Sequence, residues 1–387
     1  MIQYAKIKEI GKVITGKTPS TENEENFGGV FPFITPSDIS TFDERYVVQT
    51  ERTISSKGYR YLKSNLLPMN AICFVCIGST IGKICLTNKP SFTNQQINAL
   101  IVNENYDAQY VFYLLRYVKG YFQQIGAGTG SGKGIVNKST FEKSRISIEK
   151  DLFIQKKIAS ILSAYDELIE NNNKRIKILE QMAENLYKEW FVRFRFPGYE
   201  TAEFENGIPK EWGIRRLDEV SKLSAGGDVP KDFSLVQSKE YPIPIYSNGM
   251  ANDGLYGYCK KPTRTAQSIT ISARGTVGFV CLRSQPYMPI VRLVSIEPKN
   301  ESVDVFYLYY YFKENSIEGY GTSQQQITIP YLSKKKILIP SIKLIEKFGI
   351  YTAKLFDKIN VLKEKSQNLI KQRDLLLPRL MSGKLEV

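Results

Sequence analysis

The sequence predicts a mixed α/β (α+β) chain: two homologous β-rich domains separated by two long, antiparallel coiled-coil helices, with a pseudo-twofold internal repeat. Three observations predict it. Two stretches carry apolar residues in alternating steps of four and three, the mark of a narrow helical seam. Each follows a segment of short β-type runs broken by Gly, Pro, Asn, Ser and Thr. Short motifs also recur in the same order in both halves.

Residues 1–150 form the first domain in this reading. Val30-Phe31-Pro32-Phe33-Ile34 and Ala71 to Ile77 read as strands, Tyr110–Val118 as a helix, and Gly126–Gly134 as a flexible loop. A strand near Arg145–Ile148 leads into a central spacer helix over 151–195. Its seam is expected at Ile154, Ile158, Ile161, Tyr165 and Leu168, then at Ile176, Leu179, Met182, Leu186 and Trp190. The polar run Asn171-Asn172-Asn173-Lys174-Arg175 interrupts it, either fixing register or meeting a partner subunit. Trp190 and Phe191 are expected to pack where the helix meets a globular domain. Arg195-Phe196-Pro197-Gly198 stops the helix.

Residues 196–340 form the second domain, with a helical stretch at Val305–Phe312 and a polar loop at Gly321–Gln326. Residues 341–387 hold the second spacer helix, with its seam at Phe348, Leu355, Ile359, Leu362, Leu369, Leu376 and Leu380. It starts where the second domain ends, so it pairs with the first helix only in antiparallel fashion. A helix from Ile154 to Phe191 is roughly 57 Å long at ~1.5 Å per residue. Such a rod spaces its domains by about a dozen base pairs of duplex.

The repeat ties the halves together. Gly82 and Cys85 match Gly278 and Cys281 within Cys76–Leu86 and Ser272–Leu282. Ile7-Lys8-Glu9-Ile10 matches Leu217-Asp218-Glu219-Val220, and Tyr165-Asp166 matches Phe356-Asp357. The separation between matched residues shrinks along the chain, so the second copy has shed loop residues.

Composition narrows the chemistry. The chain has 387 residues, a formal net charge of +14 and no histidine. The charge suits a polyanion, nucleic acid before a membrane surface. Lack of histidine removes the commonest general base and metal ligand. Cys73, Cys76 and Cys85 lie in an apolar run and read as buried reduced thiols, although Cys73-x-x-Cys76 has half-site metal spacing. Gly126–Gly134 departs from a phosphate-binding loop, because Ala127 and Gly134 stand where Gly and Ser or Thr are needed. There is no Asn-Pro-Pro-Tyr-like run for methyl transfer and no Pro-Asp dipeptide for a nuclease site. No apolar run is long enough to span a membrane, and a cytoplasmic location is expected.

Candidate DNA contacts follow from loop position. In the first domain they are Ser37 and Asp38 at a polar tip, Thr129, Ser131 and Lys133 in the glycine-rich loop, and Lys138. In the second they are Ser247 and Asn248 at the equivalent tip, Arg274, and Thr322, Ser323, Gln324, Gln325 and Gln326. Gln pairs with adenine, and Arg274 suits guanine or phosphate, while a solvated Arg274 and solvated surface loops stay open as the alternatives. Ser, Asp and Asn are equally turn residues, so a turn-only reading of the tips stays open. Lys and Arg around these loops would hold phosphates, making affinity fall steeply with salt.

Ile208-Pro-Lys-Glu-Trp-Gly-Ile-Arg-Arg-Leu-Asp-Glu-Val220, Gln155–Phe191 with Asn185-Leu-Tyr-Lys-Glu-Trp-Phe191, and Leu376–Lys384 resemble the specificity subunit of type I restriction-modification systems. The resemblance spans nearly the whole chain. It implies two target-recognition domains, each reading one half of a bipartite double-stranded DNA site. It also implies that the paired helices dock two methyltransferase subunits, with restriction (motor) subunits completing the complex. It implies no catalysis and no cofactor in this chain; the partners would use S-adenosylmethionine, ATP and magnesium. The family's base-contacting residues vary with the target, so none is carried over. The first domain begins almost at Met1, so any ring-closing N-terminal extension is expected to be short. An orphan scaffold that regulates a methyltransferase without choosing a sequence is the alternative.

Overall fold

The computed structural model describes residues 2–39, 44–128, 134–265, 267–299, 303–317 and 326–387. The chain divides into two compact units, Met1–Ile176 with Val361–Val387, and Lys177–Asn360. Both long helices therefore contribute a half to each unit.

The units share one topology. In unit 1 a four-stranded antiparallel sheet runs Gly11–Thr15, Ile97–Val102, Ile72–Val75, Ile84–Leu86. In unit 2 the same order recurs as Ser221–Ala225, Leu293–Pro298, Ser268–Ser272, Val280–Arg283. The strand before the first short helix pairs with the strand before the long helix in each case: Ile2–Lys6 with Arg145–Glu149, and Gly213–Arg216 with Lys336–Ile339. A three-stranded sheet also recurs, its central strand antiparallel to one neighbour and parallel to the other.

Matched sequence motifs occupy matched places. The short helices Ile7–Ile10 and Leu217–Val220 each carry a Glu in the first turn. Glu9 accepts the Lys6 N–H at 2.8 Å, and Glu219 accepts that of Arg216 at 3.2 Å, satisfying a donor the helix leaves open. Gly82 and Gly278 both sit at positive φ, 92° and 82°, where a side chain would be strained. The expected helices are Ala108–Tyr117 and Val305–Glu314, capped by Asp107 and Asp304. All five cysteines are free and buried. Burial pushes the Cys76 thiol up to about 12, and no cluster among the described residues could hold a metal.

Two readings need correction. Gly126 and Ala127 lie in the helix Lys119–Ala127, not in a flexible loop. A Cβ on Gly126 would come within 2.5 Å of the movable Ile81 Cδ1 atom, whereas one on Gly134 would meet backbone, the Gly126 carbonyl oxygen, at 2.8 Å. Thr129, Ser131 and Lys133 lie outside the described residues, as do Thr322, Ser323, Gln324 and Gln325.

The second correction concerns the seam of the first long helix, Leu152–Tyr187, which a π-turn at Lys188–Val192 closes. Ile161, Leu168 and Met182 are exposed. Ile158, Ile176 and Trp190 are buried as expected, but the buried stripe runs through Gln155, Ala159, Leu162, Asp166, Ile169, Ile176, Ala183, Tyr187 and Trp190, still in steps of four and three or whole heptads. The helix runs unbroken through Asn171–Asn173. On the second helix, Ile342–Met381, the expected seam holds, but Thr352, Ser366 and Arg373 also lie buried on it.

Within each unit the helix halves pack in antiparallel fashion. In unit 1 Ile158 and Leu162 share a core with Leu377, Leu380 and Met381. In unit 2 Tyr187 and Trp190 pack on Phe348, ring centroids 6.1 Å apart in both cases, and Phe191 lies between Phe348 and Trp212. The two halves use different chemistry. Unit 2 is held by aromatic rings. Unit 1 buries an ion pair, Asp166 with Arg373, each about 1% exposed, and the Tyr113 hydroxyl donates to the same carboxylate. Asp357, the sequence match to Asp166, is exposed.

Candidate nucleic-acid interface

Each unit opens a cleft at the same place in its fold, beside the turn that follows the second strand in sequence of the repeated motif. The unit 1 cleft, about 510 Å³, is lined by Thr35, Pro36, Ser37, Arg52, Thr80, Asn94 and Gln96, among others. The unit 2 cleft, about 840 Å³, is lined by Met250, the turn Arg274–Phe279 and Arg292.

The polar tip of unit 1 is built by Asp38. Its Oδ2 accepts from the Thr35 N–H at 2.8 Å and hydroxyl at 2.6 Å, and its Oδ1 accepts the Glu51 N–H at 2.8 Å. Lys83 clamps the tip from behind, donating to the Pro36 and Ile39 carbonyls at 3.1 Å. Asp38 thus holds the tip, while Ser37 is exposed at its apex beside Thr35.

In unit 2 three of the expected residues meet. Asn248 Nδ2 donates to the Arg274 carbonyl at 2.8 Å, and Arg274 Nε donates to Gln326 Oε1 at 2.8 Å. The Thr276 hydroxyl donates to the Asn248 carbonyl. Ser247 is tied back to Gly254, its N–H donating to that carbonyl at 2.7 Å. Lys138 stands apart: it opens the short helix Lys138–Lys143, lines neither cleft, and faces Glu142 at 3.6 Å.

Sequence reasoning missed Arg52, Asn94, Gln96 and Arg292. The repeat carried the signal for two of them. Gln96 and Arg292 each directly precede the matched strands Ile97–Val102 and Leu293–Pro298. Their carbonyls accept equivalent bonds, from Cys76 N–H at 2.9 Å and Ala273 N–H at 2.7 Å. The chain two residues earlier is pressed onto a glycine in both units. A Cβ on Gly16 would lie 2.1 Å from the Asn94 carbonyl oxygen, and one on Gly226 would lie 2.1 Å from that of Ile290. Backbone cannot yield as a side-chain tip can. Gly226→Ala is expected to cost roughly 1–3 kcal/mol in a denaturant melt; a loss below about 0.5 kcal/mol would contradict this close approach.

A family described as "Type I restriction modification DNA specificity domain" matches residues 2–181 and 209–372. The chain is 28% identical to the type I restriction enzyme MjaIX specificity subunit of Methanocaldococcus jannaschii, over 99% of this chain and 93% of that one. It is 33% identical to the HindI specificity subunit of Haemophilus influenzae over 44% of this chain and 37% of that one. The crystal structure of a type I restriction-modification S subunit from M. genitalium has the same fold, with a TM-score of 0.61 at 17% identity, covering 98% of this chain and 96% of that one.

Proposed function

The chain belongs to the type I restriction-modification DNA specificity family, and on that premise we propose how it divides the work of choosing a DNA site. It is the non-catalytic recognition subunit, which acts on DNA in assembly with the other subunits of such a system. Residues 1–150 are the first recognition domain and 196–340 the second, each reading one half of a bipartite site. Residues 151–195 and 341–387 are the spacer. The partners docked on the spacer are two methyltransferase subunits, joined by restriction (motor) subunits, and S-adenosylmethionine, ATP and magnesium act in those partners. No described helix is long and apolar enough to cross a membrane, and we place the complex in the cytoplasm with its DNA.

The observation that carries this reading is the pair of clefts. Their frames match at Thr80 with Thr276 and at the position of Gln96 and Arg292, while the side chains lining them differ. Two copies of one scaffold with different linings are what reading two unlike half-sites requires, since phosphate contacts position and base contacts specify. The polar tips, Arg52 beside Glu51 in unit 1 and Arg274 with Arg292 in unit 2 supply both kinds of group.

The test is a domain exchange. Residues 196–340 are replaced by the equivalent domain of a relative, and the methylated sites of the assembled complex are mapped by sequencing. One half of the site is expected to change, with the other half intact. A change in both halves, or in neither, would falsify the modular reading.

A further inference from the structure

Gln96 and Arg292 occupy one position in two copies of a fold, yet they differ in chemistry. Both directly precede matched strands, both carbonyls are anchored to the facing strand end, and both side chains line the cleft of their unit. We propose that they are specificity-determining residues, Gln96 for an adenine in one half-site and Arg292 for a guanine in the other. This rests on the reading of the clefts as the DNA-contacting surfaces.

Two half-sites differ in their bases and not in their backbone. The phosphate backbone is the same in both, so a phosphate contact has no reason to change from cation to neutral amide at a shared position. Base edges do differ, and these two side chains match two of them. The guanidinium fork fits guanine O6 and N7, and a carboxamide fits adenine N6 and N7.

Arg292 is free to do this. It is exposed and, among the described residues, makes no ion pair, and no acidic side chain lines its cleft. Its neighbour Arg274 is already engaged, through Nε, by Gln326. Arg292 also stands at φ 75°, in the left-handed region that favours glycine. A long side chain held there is strained, and such strain concentrates at ligand-contacting positions. Gln96 is preorganised differently. Its Oε1 accepts from Asn94 Nδ2 at 3.2 Å, and Asn94 Oδ1 accepts the Gln96 N–H at 3.1 Å. That exchange orients the amide, and its Nε2 makes no hydrogen bond among the described residues.

The test uses the assembled modification complex and compares methylation of duplexes that vary one base pair at a time. R292Q is expected to weaken the preference for guanine at one position by about 10- to 100-fold and shift it toward adenine, leaving the other half-site unchanged. Q96R is expected to do the reverse in the other half. R292G separates recognition from folding. Glycine relieves the left-handed strain, so this variant is expected to melt at or above the wild-type temperature and still lose the guanine preference. If all three variants keep the wild-type site base for base, or weaken binding equally on every sequence, the assignment is wrong and these are phosphate or structural positions. The domain exchange keeps the two readings apart: a moved half-site with unchanged point variants sinks only this assignment, whereas no moved half-site sinks the modular reading beneath it.

Discussion

Arg373→Met is expected to lower the unfolding free energy by about 3–5 kcal/mol, the loss typical when one member of a buried ion pair is removed. Arg373 and Asp166 are each about 1% exposed, and they face each other across the helix seam of unit 1. Removing the guanidinium leaves the Asp166 carboxylate buried without that partner, the Tyr113 hydroxyl still donating to it. Burial pushes the Arg373 guanidinium down, but the Asp166 and Asp374 carboxylates outweigh that and hold its pKa above the ordinary value.

The double variant distinguishes a charge effect from a packing effect. Asp166→Asn with Arg373→Met removes both charges and leaves the Tyr113 hydroxyl an acceptor. It is expected to recover most of the loss. Equilibrium denaturation of the three variants measures this. A single-variant loss under about 1 kcal/mol would mean that the pair is already solvated and does not organise the seam. The expected consequence for function is register. A charge buried at one heptad of one half of the seam is satisfied only when its partner stands opposite, which a run of interchangeable apolar residues does not enforce. The aromatic packing of Tyr187, Trp190 and Phe348 in unit 2 has no equivalent charge.

The second large effect concerns the gap in the DNA site. One heptad inserted into each long helix, in seam register, is expected to lengthen the gap by about three base pairs, since seven residues add about 10 Å of helix and a base pair takes ~3.4 Å. The same heptad in one helix alone is expected to break the pairing and abolish site-specific methylation. Sequencing methylated sites in cells that carry each variant reads the result. An unchanged gap after the matched insertion would show that something other than helix length sets the spacing.

Much of this molecule was legible in its sequence. The order of domain, helix, domain, helix follows from where strand-like runs give way to four/three periodicity, and the repeat follows from Gly82 with Gly278 and Cys85 with Cys281. The seam of the second helix was legible because seven of its positions, from Phe348 to Leu380, are apolar, and hydrophobic periodicity reports only apolar residues. The seam of the first was only partly legible for the same reason: Ile158, Ile176 and Trp190 are buried as expected, and other members were missed. Gln155 and Asp166 are polar, Ala159 and Ala183 are small, and the large apolar Ile161, Leu168 and Met182 point to solvent.

The fold class, the internal symmetry and the membership of a family of DNA specificity subunits are written in the residue pattern alone. These rest on patterns repeated over many residues, so single exceptions do not disturb them. The tertiary structure decided what depends on distant partners. Asp166 is a seam residue only because Arg373, far along the chain, neutralises it. Gly134 is a glycine because the Gly126 backbone crowds it. Asp38 holds a tip because Glu51 donates to it. Gln96 and Arg292 became a pair only when two strands, well apart in sequence, were seen to start at the same corner of two matching clefts.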